Sequence, residues 1–135
     1  MKLGSSKEGA ALDRDKLATQ YKEIIRTAEN EMSDLAEKKK KLEELRQGLF
    51  DLKRRDMAYL NQLHHGLRGE GAKRDRRMIE NILEETQHLT KRVEQQLEQE
   101  SFEIERKRKQ VSARTETAQA EYRRAQRNLN KGGMT

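Results

Sequence analysis

The stretch Leu35-Ala36-Glu37-Lys38-Lys39-Lys40-Lys41-Leu42-Glu43-Glu44-Leu45-Arg46-Gln47-Gly48-Leu49-Phe50-Asp51-Leu52 decides the fold. Its leucines stand 7, 3, 4 and 3 residues apart. That spacing returns an apolar side chain to one helix face every second turn, while charged residues fill the rest of the circumference. Carried outward, Tyr21, Ala28, Leu35, Leu42, Leu49, Asp56 and Leu63 form one row at intervals of seven. Leu17, Ile24, Glu31, Lys38, Leu45, Leu52 and Tyr59 form a second. A repeat sustained over this length predicts a coiled-coil helix.

A matching arm follows. Leu83, Thr90, Leu97, Ile104, Val111, Ala118 and Ala125 also recur at intervals of seven, with Ile79 and Val93 starting a second row. Beyond Leu97 that second row passes into Glu100, Lys107 and Arg114, so the far part of the arm has a thin seam. Between the arms lies His64-His65-Gly66-Leu67-Arg68-Gly69-Glu70-Gly71, which reads as turn material. The chain contains no proline, so glycine is the strongest helix breaker available. The fold expected is all-α: an antiparallel two-helix hairpin, with one arm over 13–64, a turn over 65–72 and a second arm over 73–130. Residues 1–12 and 131–135 read as flexible flanks.

Charge sets the register. The patterned stretches 17–63 and 79–125 have equal length, about 70 Å of helix at roughly 1.5 Å per residue. Folding at residues 70–72 pairs positions whose numbers sum to about 142. Lys38–Lys41 then faces Glu98, Glu100, Glu103 and Glu105, and Glu29, Glu31, Asp34 and Glu37 face Arg106, Arg108, Lys109 and Arg114. Exposed pairs of this kind fix orientation more than they stabilise.

Composition narrows the function. In 135 residues, charged side chains make up 40% and the hydrophobic set 32%, too little to fill a thick core around an enzyme pocket. Absent cysteine excludes a disulfide framework, a thiolate metal site and a cysteine nucleophile. No nucleotide-binding or hydrolase motif occurs, and His64, His65 and His88 lack the spacing of a metal site. No catalytic residue, cofactor or metal is therefore expected. The net charge of +6 comes from 30 basic and 24 acidic residues, interleaved as on a solvated helix. Lys38–Lys41 reads as part of that field, and the scarcity of aromatic residues argues against nucleic acid. No apolar run is long enough to span a membrane, and the first nine residues lack the apolar segment of a secretory signal. A cytoplasmic protein, or one exported with its partner without a signal peptide, is expected.

Two groups of residues exceed what a solitary hairpin needs. Ile25, Met32, Phe50, Met57 and Leu60 on the first arm, with Met78, Ile82 and Leu89 on the second, lie outside the two expected rows. They read as a partner-binding face for further helices. Arg74, Arg76 and Arg77 sit in a basic cluster beside the turn and read as steering charges for an acidic partner.

The segment Phe50-Asp51-Leu52-Lys53-Arg54-Arg55-Asp56-Met57-Ala58-Tyr59-Leu60-Asn61-Gln62-Leu63 and its glycine-bearing break resemble the middle of small helical proteins encoded beside LXG toxins. So does the stretch from Leu97 through Glu103, Arg106, Lys107, Tyr122, Arg123 and Arg124 to Leu129. The resemblance implies a helical adaptor that packs beside a toxin's N-terminal LXG helices and helps present the toxin to a type VIIb secretion system. The Trp-x-Gly turn and the Phe-x-x-x-Asp export motif of related secreted proteins are absent, which implies an accessory partner rather than the carrier of the export signal. Two other readings explain the long basic arms: a coiled-coil stalk of a flagellar or type III export ATPase, and a self-assembling structural coiled coil.

Overall fold

The computed structural model describes residues 2–133. Helix α1 spans Lys2–Gly66, a 3-10 turn spans Glu70–Ala72, and helix α2 spans Lys73–Gly133. The two helices pack together as an all-α hairpin. Leu, Ala, Glu, Lys, Gln and Arg, the strongest helix formers, dominate both. The helices reach past the expected arm limits at 13 and 130, through Gly9 and Gly132. A glycine inside a growing helix costs only about 1 kcal/mol, and extension needs no new nucleus.

The chain divides into two units, one holding residues up to Ala36 with those from Glu105 onward, the other Glu37–Ile104. In the first, Tyr21, Ile25, Ala28 and Met32 are half-buried and Leu35 is buried, at spacings of 4, 3, 4 and 3. Val111 and Ala118 close against them from α2, with Thr115, Tyr122, Ala125 and Leu129 half-buried alongside. The rings of Tyr21 and Tyr122 stack with centroids 4.4 Å apart, and Arg114 donates to Glu31.

In the second unit Leu42, Thr90, Leu97 and Ile104 are buried. Leu49, Lys53, Met57, Leu60 and His64 line the seam from α1, Leu67 from the connection, and Ile79, Leu83, Thr86 and Ser101 from α2, all half-buried. Lys53 pairs with Glu94 at 3.5 Å, and His64 Nε2 lies 2.9 Å from Glu80 Oε1. The buried Thr90 hydroxyl donates to the Thr86 carbonyl at 2.7 Å, which satisfies it without a partner across the seam.

The seam corrects the expected heptad phase. The α2 row from Thr90 to Ala118 is buried as expected. On α1, however, Ile24, Leu45, Leu52 and Tyr59 are exposed, and the second inward row is instead Ile25, Met32, Lys39, Lys53 and Leu60. Lys39 and Lys53 are half-buried in this row, which a lysine tolerates because its methylene stem can cover apolar surface while its ammonium stays in water, and Lys53 reaches Glu94 on α2. Between Leu49, Lys53, Met57 and Leu60 the spacing runs 4, 4 and 3, an eleven-residue step that locally relaxes a left-handed supercoil.

The register differs as well. Paired residue numbers sum to 144 at His64–Glu80 and 147 at Lys53–Glu94 in one unit, and to 143 at Tyr21–Tyr122 and 145 at Glu31–Arg114 in the other, above the expected 142. The turn is the reason. α1 continues through His65 to Gly66, and only residues 67–69 separate it from the 3-10 turn. Gly69 makes the reversal at φ 89° and ψ 171°, a region essentially closed to side-chain-bearing residues, and its carbonyl accepts from Arg76 at 3.1 Å. The connection is therefore asymmetric, with the first turn of α2 overhanging the end of α1.

Two predictions follow from this geometry. Leu42→Ala should lower stability by about 2 kcal/mol or more, whereas Leu45→Ala, at a position 62% exposed, should change it by less than about 0.5 kcal/mol in thermal or urea unfolding of the monomer. Gly69→Ala should cost about 1–3 kcal/mol for its positive φ, while Gly71→Ala, with open space at its Cβ position, should be close to neutral.

Candidate helix-docking face

Twelve large apolar residues are exposed among the described residues, and ten of them belong to the unit 37–104. They are not scattered. On α1, Lys41, Leu45, Gly48, Leu52, Arg55, Tyr59 and Leu63 follow one another at spacings of 4, 3, 4, 3, 4 and 4, all exposed. On α2, Met78, Ile82, Glu85, Leu89, Val93, Gln96 and Glu100 do the same at 4, 3, 4, 4, 3 and 4. Each set is a second helical stripe beside the seam stripe.

The two stripes lie on the same side of this unit. Leu45 and Leu52 each follow a seam leucine (Leu42, Leu49) by three residues, and Val93 follows Thr90 by three. In an antiparallel pair, equal rotations away from the seam carry both helices' side chains to one side. The groove there confirms it, being lined by Lys41, Glu44, Leu45, Gly48, Leu49, Leu52, Val93 and Leu97 from both helices. Gly48 explains part of its depth. A Cβ at Gly48 would meet nothing within 4 Å, so this mid-helix glycine leaves the groove floor open at a cost of about 1 kcal/mol in helix propensity.

Of the expected partner-binding residues, Met78, Ile82 and Leu89 stand on this face, 56%, 41% and 58% exposed. Phe50 is exposed on the other flank of α1, one residue beyond Leu49. Ile25, Met32, Met57 and Leu60 are half-buried in the seams described above. Leu45, Leu52, Tyr59, Leu63 and Val93 are the face residues that the sequence reading assigned to the seam instead. Their signal was present: apolar residues occur in adjacent pairs (Ile24-Ile25, Tyr59-Leu60), the mark of a helix with two apolar stripes.

Among the expected steering charges, Arg74 and Arg77 are exposed, while Arg76 is half-buried and holds the Gly69 carbonyl. Arg76 thus fixes the turn. No group of histidine, aspartate and glutamate among the described residues is arranged to hold a metal ion, and no helix is long and apolar enough to cross a membrane. Comparison with protein-family models, with curated proteins and with solved structures finds no match.

The face is separable from the fold. Leu52→Glu combined with Leu89→Glu should leave the far-ultraviolet circular dichroism unchanged and lower the binding of a hydrophobic dye. Leu42→Glu combined with Leu97→Glu should instead abolish most of the helical signal, because those changes place charge in the seam.

Proposed function

We propose that the protein is a non-enzymatic helical adaptor that lends the stripe pair of residues 41–63 and 78–100 to the helices of a larger protein partner. The observation that carries this reading is the apolar stripe itself: Leu45, Leu52, Tyr59, Leu63, Ile82, Leu89 and Val93 stand 41–62% exposed on one side of one unit. A face of this size left in water is unfavourable by roughly 25 cal/mol per Å² of apolar surface, and covering it with further helices completes a bundle. The likeness of 50–63 and 97–129 to LXG-associated proteins supports a specific partner, the N-terminal helices of an LXG-type toxin delivered by type VIIb secretion.

Co-expression with such an N-terminal domain tests the proposal. The parent chain should co-purify with it as a stable complex. Leu45→Glu, Leu52→Glu and Leu89→Glu together should lose the complex by at least tenfold in affinity while keeping the parent's helicity. Binding of this triple variant at parental strength would overturn the interface, and failure of the parent to bind any such domain would overturn the identity of the partner.

A further inference from the structure

We infer that, when no other helices occupy it, the face formed by the 41–63 and 78–100 stripes pairs with the same face of a second copy, turn beside turn, as a four-helix bundle. This rests on the face used in the proposed function but not on the partner named there. Charge is the first argument. The charges within the α1 stripe are Lys41 and Arg55, with Glu44 in the adjoining groove and Asp56 seven residues before Leu63, whereas the α2 stripe carries only Glu85 and Glu100. A two-fold axis parallel to the helices sets each α1 stripe on the other copy's α2 stripe, so the basic stripe meets the acidic one on both sides. Turning one copy end for end would set α1 on α1 and α2 on α2, like charge against like. Neighbouring helices are antiparallel in both arrangements, as in an up-down bundle, so the charges decide between them.

Area and overall charge agree. Eight side chains of the two stripes (Leu45, Leu52, Tyr59, Leu63, Met78, Ile82, Leu89, Val93) are 41–62% exposed. Together they offer the equivalent of about four whole large side chains, a substantial part of the roughly 800 Å² per partner of a standard interface. The unit itself contains fifteen basic and fourteen acidic residues, so net repulsion between two such units is small. Arg74 and Arg77 at the turn are exposed but belong to neither stripe.

The chain has no cysteine, which makes a single introduced thiol a clean probe. The full chain should sediment as a concentration-dependent dimer. Lys41→Glu with Arg55→Glu should weaken self-association at least tenfold, and adding Glu85→Lys with Glu100→Lys should restore it. Gly71→Cys, at an open turn position, should crosslink two copies with a short bifunctional maleimide. A monomer throughout the micromolar range overturns the inference while leaving the adaptor reading to its own test. A dimer unaffected by the charge reversal, or one whose Gly71→Cys thiols fail to crosslink, overturns the turn-beside-turn arrangement. If the dimer forms but the toxin domain does not bind, the self-pairing stands and the adaptor reading falls.

Discussion

Everything else in this structure depends on one narrow row: Thr90, Leu97, Ile104, Val111 and Ala118, one residue every second turn of α2, closed against α1. Six buried apolar residues make the core of the described chain, with Leu35 and Leu42 supplying α1's share. So thin a seam leaves each helix most of its circumference for other purposes. In the unit 37–104 a second apolar stripe takes up part of that circumference. A two-helix contact can cover one stripe per helix, and the second requires helices beyond the hairpin.

In the unit 37–104 both stripes of α1 mix apolar and basic residues: the inner one has Leu42, Leu49, Met57 and Leu60, and the outer one includes Lys41 and Arg55. The inner stripe also holds Lys39, Lys53 and His64, while the outer one holds Leu45, Leu52, Tyr59 and Leu63. Cross-helix partners make this tolerable: Glu94 meets Lys53 and Glu80 meets His64 at the edge of the seam. Such half-exposed pairs add little stability, about 0–1 kcal/mol each, but they select which stripe faces inward. An apolar stripe of equal size is thereby left exposed, which suits an assembling protein better than a solitary one.

The all-α hairpin was legible from the sequence because the α2 row has a single reading: only one stripe of that helix keeps an apolar or small residue at every seventh position from Leu83 to Ala125. The α1 phase was not. Counting apolar residues ranks Leu45 and Leu52 above Lys39 and Lys53, whereas the fold half-buries the two lysines and exposes the leucines. The register missed by up to five residues because a turn's centre in sequence is not its centre in space once Gly69 lets one helix overhang the other. The Tyr21–Tyr122 stack lies within reach of the sum rule, since 143 is one from the expected 142. The binding face was legible as an excess of apolar residues; its membership changed with the phase.

The phase of α1 is therefore the central claim, and thiol labelling tests it most directly. Leu42→Cys and Leu45→Cys should be prepared separately and labelled with a maleimide at concentrations where the chain sediments as a monomer. The account predicts fast labelling at position 45, 62% exposed, and slow labelling at position 42, 6% exposed. Equal rates, or protection of position 45 in the monomer, would contradict it.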